Sequence, residues 1–405
     1  MLKKKQSKKS LPIHKRKFGL STREILKISV IKKRLLRCLV IRRLLSTKGD
    51  KYAHKIKCIS KLIQVLIQSY VQLAFYDDSG CISSFPRRKF RMYDIPEIAL
   101  RENLRFETYE QLESIIECFG IPETVELDNR SIATNHELLC VSLYRYHFPE
   151  KYDDLEAKFG CDYSRCSRIF NYFVRFMVEN WGYLLTNNID YWTDLIPTFA
   201  DSIHRKIRAE NLHIPNDHPN SQIFGFIDCT YNETCRPNDP WVQMGFYTKH
   251  KKIHGLKFQI IVLPNGMKFH VSHPDSARRR DAHLLSESRI LQAIENMQAN
   301  WEEKFRIHGD AAYGSYLCYL SSGELGNVRV TVENDIGEVK EYFKFINYER
   351  MLQLQRMQVA SIFLVALLLH DMYVSLIGST VSRFFSLLPP SLAQWTSQGK
   401  KKFNG

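Results

Sequence analysis

The sequence contains no Cys-x-x-Cys pair; its ten cysteines are scattered. Cys161 and Cys166, and Cys229 and Cys235, each lack the second half of a zinc-binding set, so a zinc-finger scaffold is excluded. Reduced thiols in a nuclear or cytosolic protein are expected instead. Long apolar runs are also missing. None reaches the roughly 20 residues that a bilayer span needs, and the longest, at 359–369, stops at His370 and Asp371. That run reads as a buried helix, and no membrane partner is expected. The N-terminus is Lys-rich with no apolar segment behind it, so no secretory leader is expected. Acids are scarce at the start of the chain. Residues 1–57 hold 20 Lys and Arg against 2 Asp and Glu, a balance of +18, so the remainder carries −3 of the net +15. The basicity therefore belongs to an N-terminal arm, and a polyanion, above all nucleic acid, is the expected partner.

The arm carries two basic clusters, at 3–9 and 14–17. They read as nuclear-import or phosphate-contact sequences, or as a solvated tail. Ser21-Thr-Arg-Glu24 has the capping-box pattern. Behind it Ile25, Ile28, Ile31, Leu35, Leu39 and Leu45 form a helical stripe among Lys and Arg. Residues 58–137 read as a helical linker region, with helices at 62–75 and 97–119 and a basic patch at 86–91. Within 138–218, Leu138, Leu139, Leu143 and Tyr144 fit one helix face, and Tyr152, Leu155 and Phe159 fit the next. After the turn Gly160-Cys-Asp162, Cys166, Ile169, Phe170 and Phe173 point inward, leaving Arg165, Arg168 and Arg175 to point out. Helix, glycine turn and helix with outward arginines fits a DNA-binding helix-turn-helix in which Arg165 and Arg168 face one groove. A plain helical hairpin matches the apolar pattern equally well.

The remaining region, 219–395, holds the candidate chemistry. Ile-Phe-Gly-Phe-Ile at 223–227 runs into Asp228, and Phe-Arg-Ile-His-Gly at 305–309 runs into Asp310. Each reads as a short buried strand delivering a carboxylate to its end. Glu333 stands in Arg329-Val-Thr-Val-Glu333, with Asp335 and Glu338 close behind. Three acids brought together make an oxygen-only site of the kind Mg²⁺ or Mn²⁺ prefers, able to clamp an in-line displacement at phosphorus. The runs at 256–263 and 268–271, joined by Pro264-Asn-Gly266, read as a hairpin. The class expected is α/β with a mixed sheet, preceded by an all-α region.

These motifs resemble the Harbinger/PIF-type DDE transposases and their domesticated nuclease relatives. Gly225-Phe-Ile-Asp-Cys-Thr230 is similar to the first acidic motif of that family, and Arg236-Pro237 falls where it has a similar pair. Tyr247-Thr-Lys-His-Lys-Lys-Ile-His254 resembles its basic segment, with Lys249, Lys251 and Lys252 as DNA contacts. Arg280-Asp281-Ala-His-Leu-Leu-Ser286 resembles the segment with an accessory metal-associated acid, Asp281. His308-Gly-Asp-Ala-Ala-Tyr313 resembles the second core motif, and Arg329-Val-Thr-Val-Glu333 with Gly337 the third. The resemblance spans roughly 100–395 and implies an RNase H-like DDE core.

It further implies Asp228, Asp310 and Glu333 as catalytic metal ligands, Mg²⁺ or Mn²⁺ as cofactor, double-stranded DNA as substrate, and strand cleavage with 3′-hydroxyl transfer in the nucleus. A DNA-binding accessory protein and self-association are compatible with it. Two departures stand out. The 22 residues between Asp310 and Glu333 are fewer than the family usually has, and Asp371 stands where it often has an amide. A decayed relative that binds DNA without cutting it, and a metal-dependent phosphatase or RNase using the same acids, are the competing readings.

Overall fold

The computed structural model describes residues 22–47, 52–75, 90–209, 222–310, 313, 320–322, 325, 328 and 330–397. The basic clusters at 3–9 and 14–17, the cap at Ser21, most of the 86–91 patch and Arg329 lie outside them. The chain divides into two compact units, residues 1–96 with 152–163, and residues 97–151 with 164–405. The stretches expected as separate regions, 138–218 and 219–395, thus share one unit except for 152–163.

In the first unit, α1 (Thr22–Ser46) and α2 (Ala53–Phe75) pack on each other. The second half of the expected basic arm is therefore helical. Leu36, Leu39, Val40, Ile41 and Leu44 of α1 stay exposed, whereas Ile63 of α2 is buried.

The second unit opens with α3 (Glu97–Leu104) and α4 (Tyr109–Cys118). The single helix expected over 97–119 breaks because Arg105 turns to φ +68° and Thr108 starts a new helix through a capping box with Gln111. A small hairpin, β1 (Thr124–Glu126) with β2 (Ile132–Thr134), leads into α5 (Asn135–His147). The one-sided face expected on α5 is in fact buried all round, from Leu138 to His147. Next come α6 (Tyr152–Phe159), which belongs to the first unit, and α7 (Tyr163–Trp181). On α7 the predicted inward residues Cys166, Ile169, Phe170 and Phe173 are all buried; Phe170 packs against Tyr146 and Phe345. Two of the three predicted outward arginines are not free. Arg165 Nη2 pairs with Glu137 Oε2 at 2.9 Å and donates to the Ile132 carbonyl, and Arg175 pairs with Asp128 at 3.4 Å.

Two further helices, α8 (Tyr183–Thr186) and α9 (Ile196–Ala209), precede the central sheet. Its strands are β3 (Ile223–Thr234), β4 (Tyr247–Thr248), β5 (Ile253–Val262), β6 (Lys268–Val271), β7 (Asp275–Ser276), β8 (Arg306–Gly309) and β9 (Leu320–Ser322), with α10 (Pro240–Phe246) leading into β4. The order is β4-β5-β3-β8-β9, with β6 and β7 also on β5. β5 runs antiparallel to β3, β4, β6 and β7; β8 is parallel to β3 and β9 to β8. The predicted β5–β6 hairpin forms, and Gly266 takes φ +83° at its turn, where an added Cβ would lie 2.2 Å from Ser379 Oγ.

Helices cover both faces. Along β5 alternate side chains point to opposite layers. Lys257 and Gln259 meet Asp281 and Ser288 of α11 (Asp281–Ser288), which is followed by α12 (Ile290–Met297). Phe258, on the other face, stacks at 4.4 Å on Phe363 of α14 (Val359–Ile377). Between them in sequence lies α13 (Val330–Tyr342), and α15 (Thr380–Phe385) and α16 (Leu392–Thr396) close the described chain. By length and composition α14 is apolar enough to cross a membrane. The apolar run at 359–369 forms a buried helix as expected, and the helix continues past its polar end through His370 and Asp371, which are buried against charged partners.

Candidate active site

The sheet register determines where the first two acids go. The parallel ladder ends at the pair Phe226 and His308, and Asp228 and Asp310 each follow two residues later, Asp228 still on β3 and Asp310 one residue past the end of β8. The β3 strand does not end at Asp228 as expected. It continues to Thr234, pairing with β5 throughout, while its ladder with β8 stops at Phe226. The polar tail stays in the sheet through its backbone pairing with β5, and Asn232 Nδ2 donates to the Ile346 carbonyl at 3.1 Å. Asp228 therefore sits where one flank of β3 opens. It is half-buried and accepts the Cys229 N–H at 2.8 Å, whereas Asp310 is exposed.

The approach of the two strands depends on Gly309. A Cβ there would lie 2.8 Å from Ile227 Cγ2 and 2.9 Å from the Tyr313 ring. Gly309→Ala is accordingly expected to push β8 from β3 and cost about 1–3 kcal/mol, read as a lowered urea midpoint. An unchanged midpoint would show that the ring simply moves aside. Tyr313 OH lies 3.2 Å from Cys229 Sγ. Burial pushes the Cys229 thiol up to about 12, with Asp281 and Asp228 adding to the rise, and burial likewise raises the Tyr313 phenol. Neither is a ready nucleophile at neutral pH.

Asp281 opens α11 and is held by the buried Lys257 ammonium, which also donates to the Arg279 carbonyl at 3.1 Å and lies 4.9 Å over the Tyr231 ring. Burial lowers the Lys257 pKa, but the bond to Asp281 outweighs it and leaves the pKa raised. The expected accessory acid is thus occupied by an internal cation rather than by the neighbouring arginines. Glu333 is exposed in the first turn of α13. The three core acids are not gathered into one cluster: among the described residues, no group of three or more His, Cys, Asp or Glu side chains is arranged to hold a metal ion. Mutual repulsion of ionised carboxylates disfavours such a group in the absence of a cation.

The acids that compete with Glu333 for the third place are otherwise engaged. Asp335 is fully buried, and Lys268 Nζ lies 3.1 Å from it and 3.1 Å from Asp371. His370 Nδ1 is 2.6 Å from the same ammonium, and His370 Nε2 is 3.6 Å from Glu338 Oε2. Burial alone would lower Lys268 and raise Glu338. The paired carboxylates instead raise Lys268, while His370 and Thr380 bring Glu338 down to about 2. This network ties β6, α13 and α14 together. The sequence reading did not find it; its only signals were Asp371 in place of an amide and a Lys inside an apolar strand.

The remaining sequence-predicted contacts lie elsewhere. Arg168 is half-buried on α7, and Lys249, Lys251 and Lys252 are exposed in the turn between β4 and β5. That turn lies beyond the Thr234–His254 pair, six residues or about 20 Å along β3 from Asp228.

Residues 227–316 match a family described as DDE superfamily endonuclease. The match includes Asp228, Asp281, Asp310 and Tyr313 and ends before Glu333. No curated protein matches the chain, and neither does any solved structure. The mixed sheet with helices on both faces is consistent with such a nuclease domain.

Proposed function

We propose that the chain is a DDE-type, divalent-metal-dependent DNA endonuclease, transposase-like and of the Harbinger/PIF kind, with an RNase H-like core. The observation that carries this reading is the parallel β3–β8 register, whose last pair, Phe226 and His308, precedes each of the two acids by two positions inside the stretch similar to DDE endonucleases. The sheet supports the RNase H-like assignment. A three-strand antiparallel unit, β3, β5 and β6, is extended on the other side of β3 by the parallel strands β8 and β9.

Asp228 and Asp310 offer oxygen donors only, which fits Mg²⁺ or Mn²⁺. Asp281 fits less well, since Lys257 already neutralises it. For the third ligand, Lys340 donates to the Tyr231 carbonyl at 3.0 Å, and further along both segments Ile346 meets Asn232. The last turn of α13 and the segment after it therefore lie beside the polar end of β3, and Glu333 stands about 10 Å before Lys340 on that helix as the proposed third ligand. Bound divalent ions supply the charge that activates a water or a 3′-hydroxyl and stabilises the leaving oxygen. The chain's own part is to orient the cations through Asp228 and Asp310, with Gly309 allowing the close strand approach. Nicking of supercoiled plasmid with Mn²⁺ tests the reading; no nicking by the wild type overturns it.

A second reading, a nuclear relic that binds DNA without cutting it, is favoured by two observations: the similarity ends before Glu333, and among the described residues no three-acid group is assembled. Both readings place duplex DNA on the basic arm, which carries +18 in 57 residues. Each phosphate contact adds about −0.9 to the log–log salt slope, so deleting residues 1–57 is expected to flatten that slope. An unchanged slope would mean that the arm does not touch DNA.

A further inference from the structure

The helix α10 has no buried residue. It is built by local bonds: Asp239 accepts the N–H groups of Trp241 and Val242, and Pro240 opens the first turn. Trp241 and Met244, three residues apart and so on one side, are 77% and 56% exposed. Trp181, Trp192 and Trp395 are buried and Trp301 is half-buried, so Trp241 stands apart among the tryptophans, all five of which are described. A large aromatic ring left in water beside an exposed methionine, on a helix with no buried residue, calls for a partner.

The surroundings indicate which partner. Exposed Arg236 is held to Gln243 of the same helix at 2.9 Å, and exposed Arg278 reaches the Met244 carbonyl at 3.5 Å. The chain leaving α10 enters the turn with exposed Lys249, Lys251 and Lys252. Among the described residues these five cations make no ion pair. Of the nearest acids, Asp239 is spent on the cap and Asp275 is paired with Arg279. An aromatic face bordered by unneutralised cations complements a polyanion that also carries flat rings.

We propose that α10 and the 249–252 turn form a nucleic-acid surface on which Trp241 stacks against an unpaired DNA base while Arg236, Arg278 and the lysines hold the flanking phosphates. Inside a duplex both faces of a base are occupied by stacking, so Trp241 can meet a base only where the strand is single, frayed or flipped out. The inference rests on the nucleic-acid reading above for the class of polyanion and requires no cleavage.

The test uses the full chain in EDTA, with anisotropy measured on a short single-stranded oligonucleotide and on a blunt duplex of the same sequence. Trp241→Ala is expected to weaken single-strand binding roughly tenfold while duplex binding changes by less than about twofold. Trp241→Phe should recover most of the loss, and an unchanged melting curve for both variants would confirm that the exposed ring is not needed for folding. Equal loss on both DNAs, or no loss on either, overturns the stacking and would leave the apolar face to a protein partner. Wild type that binds neither oligonucleotide overturns the nucleic-acid reading itself. Wild type that binds while Trp241→Ala is unaffected removes only the inference drawn here.

Discussion

Asp228→Asn is expected to abolish Mn²⁺-dependent plasmid nicking while leaving DNA binding intact. The substitution keeps the shape of a half-buried side chain and its bond from the Cys229 N–H, but removes the charge that would hold a cation beside Asp310. Loss of about 4 kcal/mol of charge stabilisation corresponds to roughly a thousandfold in rate. Asp310→Asn should behave alike, because the proposed site draws on both carboxylates. A second readout needs no turnover. Mn²⁺ is expected to raise the melting temperature of the wild type by an amount that grows with its concentration, and that of Asp228→Asn much less. Glu333→Gln separates the two readings of the third ligand. If it nicks like the wild type, the site exists and Glu333 is not part of it. If Asp228→Asn nicks like the wild type, the proposed chemistry is wrong.

Lys268→Met is expected to destabilise the second unit by about 3–5 kcal/mol, since it strands buried Asp335 and Asp371 without their cation. Adding Asp335→Asn and Asp371→Asn should recover part of that loss, because no net charge then remains buried. Urea denaturation of the single and triple variants measures both. A loss below about 1 kcal/mol for Lys268→Met would mean that water reaches the network and the burial has been overstated. The same change should reduce nicking more than stability alone explains, since Asp335 lies two residues after Glu333 and the ion pair holds α13 against β6.

Much of the central region was legible in the sequence. Apolar runs ending at Asp228 and Asp310 gave strands, and Pro264-Asn-Gly266 gave the hairpin between β5 and β6, because alternation and turn chemistry are local properties. Local pattern also placed the inward face of α7. It could not tell that Arg165 would pair with Glu137, which lies 28 residues away, or that β3 would outlast its first acid. Both depend on which partners the remote chain supplies.

The sequence by itself determined the candidates for chemistry: two acids behind apolar strands, a basic arm, and a stretch similar to DDE endonucleases. Only the tertiary structure decided their company. Parallel pairing of β3 with β8 brings the two apolar runs that precede Asp228 and Asp310 together across a long connection, since register is a property of two strands and of neither alone. Burial sorts the acids in the first half of α13 and just beyond, sending Asp335 and Glu338 to Lys268 and His370 and leaving Glu333 exposed. A carboxylate can be buried only where a counter-charge is buried with it. Lys268 and His370 lie 102 residues apart, so no local reading of the helix could have assigned its acids.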